Sequence, residues 1–240
     1  MPATLTAKSI VAELKTLGSA SYKKTMQVHG AKEPIYGVKI SDLKLIQKRA
    51  GGTNHELALE LWDTGVHDAM YLAALMADDA QMTPRDLQHW VDGASSPMLR
   101  EYSVAWVAAG SPKGWETALK WIDSRNEHEV VAGWSTLGGV VALRPDAELD
   151  LPALKRLLAR VEKAIKSAPN RVRCVMNGFV IAVGSYVKPL TAQALAVGKR
   201  VGRVEVDMGG TACKVPDIAE YIGKAKARGS LGKKRKMVKC

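Results

Sequence analysis

The feature that most constrains this chain is its punctuation. A helix start or stop signal recurs roughly every 10 to 18 residues along most of its length. Thr6 precedes an amphipathic run that Gly18 closes, and Ser19 to His29 reads as a second that Gly30 closes. Ser41 opens a run to Ala50 with Leu43, Leu45 and Ile46 as its apolar stripe, and Gly51-Gly52 stops it. Asn54 opens His55 to Trp62, and His67 to Ala77 follows Gly65. Thr83-Pro84 and Ser111-Pro112 each set a capping residue before a proline, predicting helices from Pro84 and over Lys113–Ile122. Between them, Pro97 to Ala109 reads as a helix with Met98, Glu101, Tyr102 and Ala105 on one face. Glu127 to Leu143 comes next, then a helix to Lys166 with Pro152 in its first turn. Asn170 caps a helix to Val183 that is apolar almost all round and therefore buried. Thr191 caps Ala192 to Val201, and Pro216 to Ala227 is the last helix.

About a dozen short helices with almost no period-two alternation leave few architectures open. Only Val204–Met208 alternates as a strand would. Connections of about 2–8 residues favour antiparallel neighbours. The pattern predicts an all-α fold: a helical-repeat solenoid over residues 1–228, with an irregular globular bundle as the rival packing. Residues 229–240 are expected to form a basic flexible tail. At 240 residues, 47% of them hydrophobic, the chain buries a core without disulfides or metals. No apolar run reaches the roughly 18 residues a membrane helix needs, and Met1–Ile10 lacks a basic-then-apolar leader pattern. Cys174, Cys213 and Cys240 are odd in number and widely spaced. That fits a reducing cytoplasm better than a disulfide framework or a zinc site. The five histidines lack ligand spacing, so no metal and no cofactor is expected, and a monomer is.

The charge is polarised. Between Ala50 and Pro84 there is no Lys or Arg, and six carboxylates give −6. From Lys163 to Val204 there is no Asp or Glu, and eight basic residues give +8. From Lys214 to Cys240 the net is +7, within a total of +11. Such asymmetry points to a polyanion, and phosphate backbones are the commonest, because bound Lys and Arg release condensed counterions. An anionic membrane fits less well, since no strong apolar helical face adjoins the basic segments. Arg156, Arg160 and Lys163 form a stripe at i, i+4, i+7. Arg171 and Arg173 occupy a first helical turn, where cations oppose the dipole unless an anion sits nearby, so a phosphate is expected there. Lys188, Lys214 and the cluster Lys233, Lys234, Arg235 and Lys236 complete the expected DNA-binding set. Val206–Lys214 contains Gly-Gly-Thr, which reads as a structural turn or as an anion nest. Asn177 interrupts its apolar helix and must find hydrogen-bond partners, as a core asparagine, a clasp on a loop or a reader of a base edge. Trp106 and Trp134 read as core residues or, alternatively, as aromatic faces for a site.

Two segments, Ile35-Tyr36-Gly37-Val38-Lys39-Ile40-Ser41-Asp42-Leu43-Lys44 and His55-Glu56-Leu57-Ala58-Leu59-Glu60-Leu61-Trp62, resemble the AlkD-type DNA alkylation repair proteins. The likeness runs from about Leu14 to Leu190 in helix order. It implies a solenoid of HEAT-like helical repeats that binds duplex DNA across its concave face. Active members hydrolyse the N-glycosidic bond of cationic N3- or N7-alkylated purines. A purine that already carries positive charge leaves with little acid help, so a carboxylate that stabilises the sugar cation can suffice. Aligned on Ser111-Pro112, the family carboxylate falls at Glu101 and the tryptophan four residues before it at Pro97. The second family tryptophan falls at Gly178 and the family arginine at Val131. One group of four is matched, by a glutamate whose extra methylene moves the reach by about 1.5 Å. Tyr36 and Trp62 are read as core anchors. Three functions remain open: an alkylpurine DNA glycosylase using Glu101, a non-catalytic binder of duplex or branched DNA, and a protein-interaction scaffold.

Overall fold

The computed structural model describes residues 5–209, 211 and 213–240. Among them are thirteen α-helices and no strand, so the all-α expectation holds and Val204–Met208 is irregular. The chain divides into two compact units. Unit 1 runs to Pro112 and includes 209–211 and Lys239–Cys240. It holds α1 (Ala7–Leu17), α2 (Ala20–Val28), α3 (Ile40–Arg49), α4 (His55–Asp63), α5 (His67–Met76) and α6 (Pro84–Gly93). A π-helical stretch, Leu99–Val104, then runs straight into α7 (Ala105–Gly110).

The centre of unit 1 is α5, whose ten residues are all buried. It is apolar nearly all round and packs against α1, α3, α4 and the π-helical stretch. Asp68 is fully hydrogen-bonded, while His67 is held through one ring nitrogen and its buried Nδ1 meets no partner among the described residues. Asp68 accepts the backbone N–H of Tyr36 at 2.7 Å and of Val38 at 2.8 Å. His67 Nε2 is hydrogen-bonded to Ser96 Oγ at 2.9 Å. The Ile35–Lys39 motif is thus an extended strap held by a buried carboxylate. Its Gly37 has φ +77°, and a Cβ there would meet the Lys23 backbone nitrogen at 2.4 Å, so only glycine fits. Trp62 stacks on Trp90 with centroids 4.2 Å apart and is a core anchor, while Tyr36 is half-buried.

Unit 2 comprises α8 (Gly114–Ile122), α9 (Glu127–Leu143), α10 (Leu151–Ala164), α11 (Asn170–Tyr186), α12 (Thr191–Val201) and α13 (Ile218–Ala227). Helix α9 packs on α8 and α11, and α11 also meets α12 and α13. A Cβ at Gly133 of α9 would lie 2.9 Å from Ile122 Cγ2 and 3.0 Å from the Ala118 carbonyl oxygen. The glycine sets how closely α8 approaches. Trp134 is fully buried and tilts against Phe179 at 5.1 Å, as expected of a core residue.

Four expected caps differ. Lys39, not Ser41, occupies the N-cap of α3. Ser111 closes α7 and donates to the Met82 carbonyl. Thr191 is the first residue of α12 and donates to Gly184 O at 2.9 Å. Asn170 lies inside α11, where its amide brackets the backbone of Asp207. Short polar side chains bond whichever backbone group tertiary packing presents.

Several of residues 229–240, expected as a flexible tail, make specific hydrogen bonds. In unit 2, Gly232 N–H donates to Ser185 O and Arg235 N–H to Ala142 O, both at 2.8 Å. Lys234 Nζ reaches Val141 O at 2.9 Å and the Asp146 carboxylate at 2.7 Å. In unit 1, Lys239 Nζ reaches Ala77 O at 2.8 Å and Asp79 at 2.6 Å. Both lysines sit at helix C-terminal ends, where a cation satisfies orphan carbonyls and complements the dipole.

Candidate nucleic-acid interface

The expected cations divide into two groups. Arg156 and Lys163 are exposed on α10 with no carboxylate partner among the described residues. The same is true of Lys188, Lys214, Lys233, Arg235 and Lys236. An exposed lysine without an ion pair keeps its full charge for a phosphate. Arg160 is different. Its guanidinium bonds the Asp123 carboxylate and the Ile122 carbonyl oxygen, and lies 5.7 Å from the Trp134 ring centroid. Lys234 is spent on Asp146 and Val141 O. These two positions serve the fold, and the expected i, i+4, i+7 stripe is an exposed pair around a packed arginine.

Arg171 and Arg173 are half-buried in the first turn of α11. Arg173 Nη2 donates to Asn170 Oδ1 at 3.3 Å, and its buried Nε–H meets no acceptor among the described residues. The asparagine clamp on Asp207 holds the 203–207 segment beside this turn. Asn177 is buried and donates to Pro216 O at 2.9 Å, so it fastens the loop before α13. It also lines a groove with Arg203, Glu205, Lys214, Tyr221 and Lys224. In that groove Lys224 pairs with Glu220 at 2.6 Å and lies over the exposed Tyr221 ring. Of the expected nest, Gly210 and Ala212 lie outside the described residues. Sequence reasoning left Lys166 and Arg203 out of the binding set. Their only signal was membership of the run without carboxylates.

In unit 1, Glu101 is half-exposed on the π-helical stretch. The wider turn rotates successive side chains by less than an α-helix does. Tyr102 is 49% exposed and tilts against Trp106, with centroids 5.7 Å apart. Trp106 is only half-buried and meets Tyr71 edge-on at 5.6 Å, so it fills the core in part. The other family positions are changed in kind. Val131 is 2% exposed, so the arginine position is core here. Pro97 abuts Gly30, and Gly178 faces open space. The −6 stretch is partly structural, since Asp68 holds the strap and Asp79 pairs with Lys239. Burial raises the Asp79 carboxyl above its ordinary range, against the opposing pull of Lys239. Among the described residues no group of three or more His, Cys, Asp or Glu is placed to hold a metal ion.

Comparison with known proteins gives a consistent picture. The family model for DNA alkylation repair enzymes matches residues 10–204. The uncharacterized protein Lin0241 of Listeria innocua is 34% identical over 220 residues, 90% of this chain and 95% of its own. The uncharacterized protein Lmo0209 of Listeria monocytogenes is 32% identical over the same share of each. A solved structure is 36% identical with a TM-score of 0.89, over 98% of this chain and 100% of that one. It is described as a new family of proteins related to the HEAT-like repeat DNA glycosylases with affinity for branched DNA structures. The HEAT-like repeat fold expected from the sequence is therefore the fold of this chain.

Proposed function

From the premise that the chain belongs to the DNA alkylation repair enzyme family, we propose that it is a structure-selective DNA-binding protein. It holds duplex and branched DNA by backbone phosphates, as a monomer in the cytoplasm without metal or cofactor. The observation that carries this reading is the likeness, over the whole of both chains, to a protein with affinity for branched DNA. The unpaired cations of unit 2, among them Arg156, Lys163 and Lys188, supply the phosphate contacts. Such contacts position without reading sequence.

Alkylpurine hydrolysis is the second reading, favoured by Glu101 at the family carboxylate position, next in sequence to the exposed Tyr102. A cation held over aromatic faces beside a carboxylate is the required chemistry. Against it, the two tryptophan positions hold Pro97 and Gly178, and the arginine position holds buried Val131.

One experiment separates them. A labelled three-way junction and a duplex with a single N7-methylguanine are titrated and incubated with wild type and Glu101→Gln. Junction binding by both proteins, without base release, is the expected result. Base release by wild type that collapses in Glu101→Gln establishes the glycosylase. No binding to either DNA leaves the protein-interaction scaffold.

A further inference from the structure

Unit 2 contains a cavity of about 200 Å³ whose wall charges are unbalanced. Ile165 and Val201 form its apolar side, and Lys166, Arg173, Arg203 and Glu205 its polar side. Three cations face one carboxylate. Ile165 and Val201 are 1% and 5% exposed, so the cavity is backed by core. The buried Arg173 Nε–H has no acceptor among the described residues, and burying a donor of a charged group unpaired is costly. A guanidinium presents five donors in a fixed fork that fits tetrahedral oxyanions. The wall is also held in place. Asn170 grips the Asp207 backbone in both directions, at 2.7 and 2.8 Å, fixing the segment that carries Arg203 and Glu205.

We propose that this cavity is a phosphate site which seats one backbone phosphodiester of bound DNA, with Arg173 as its anchor and Arg203 and Lys166 as flanking charges. This rests on the DNA-binding reading and deepens it. Most of the cations of unit 2 are exposed side chains that any phosphate can approach. Here one phosphate is seated against a fixed donor, which sets where the backbone lies.

The test uses two probes on the full chain. Inorganic phosphate is titrated against thermal melting at constant ionic strength, with chloride as the balancing ion. A labelled three-way junction is titrated at several salt concentrations. The proteins are wild type, Arg173→Gln, Arg173→Lys and Arg203→Gln. Arg203 is exposed on irregular chain, so its replacement tests the site even if a change at Arg173 impairs folding. Phosphate is expected to raise the melting temperature of wild type and to lose that effect in Arg173→Gln and Arg203→Gln. Junction affinity is expected to fall by about tenfold in each, with the salt slope reduced by about one. Arg173→Lys keeps charge without the fork and is expected to recover only part of both effects. A wild type whose melting ignores phosphate overturns the proposal. So does loss of the phosphate effect with junction affinity and slope unchanged, because the cavity then takes a free phosphate compound. A wild type that does not bind the junction contradicts the proposed function, while the phosphate arm still reports on the cavity.

Discussion

At the scale of single residues, the motif that suggested the family is explained by one carboxylate. Asp68 accepts two backbone N–H groups while 1% exposed. Asp68→Ala is expected to destabilise the protein by about 3 kcal/mol in urea unfolding, the scale of two charge-assisted bonds left unmade. Its neighbour His67 gives a pH signature. Burial holds this imidazole below its ordinary value, and Asp68 pulls the other way. A depressed folded value means that His67 contributes stability which is complete above about pH 6.5 and is lost as pH falls through the folded value. Melting temperature should therefore fall more steeply from pH 7 to 5.5 in wild type than in His67→Gln. Equal slopes would contradict this. None of these pairings was legible in the sequence: Asp68 reads as one of six acids, and its partners lie 30 and 32 residues away. For the same reason the sequence did not distinguish Arg160, which turns to Asp123 and Ile122, from Arg156, which stays in solvent.

At the scale of elements, glycine and proline were reliable guides and hydroxyls were not. Thr6, Asn54 and Thr83 cap the helices expected of them, and Ser19, read as a helical residue, is also a cap, because each bonds an N–H three residues on. Ser41, Ser111, Asn170 and Thr191 do not, because loops and neighbouring helices offered other partners. The π-helical turn at Leu99–Val104 had no sequence signal, and it carries Glu101 and Tyr102, the two residues on which the catalytic reading depends. Helical glycines carry an opposite pair of expectations. Gly133→Ala places a methyl within 3.0 Å of the Ala118 carbonyl and should lower stability by about 1–3 kcal/mol. Gly178→Ala meets nothing within 4 Å and should raise it by about 0.5–1 kcal/mol through helix propensity alone. Chemical denaturation of both variants checks the pair, and a loss at Gly178 would mean that this face of α11 is covered.

At the scale of the molecule, charge polarity was visible in the sequence from the first, but its division of labour was not. Part of the positive charge holds the fold: Arg160 and Lys234 are bound to carboxylates and carbonyls, and backbone bonds at Gly232 and Arg235 tie the last twelve residues to α11 and α9. Arg156, Lys163, Lys188, Lys214, Lys233, Arg235 and Lys236 stay in solvent with no carboxylate partner among the described residues, and they carry the proposed function. The most direct measurement is the affinity of a labelled three-way junction across a range of salt, for wild type and for Arg156→Glu/Lys163→Glu. Both residues lie on α10 with no described carboxylate partner, so reversing them should leave the melting temperature nearly unchanged. The account predicts steep salt dependence in wild type. It also predicts that the double variant binds at least tenfold more weakly with a shallower slope. Equal affinity and slope in the two proteins would contradict it.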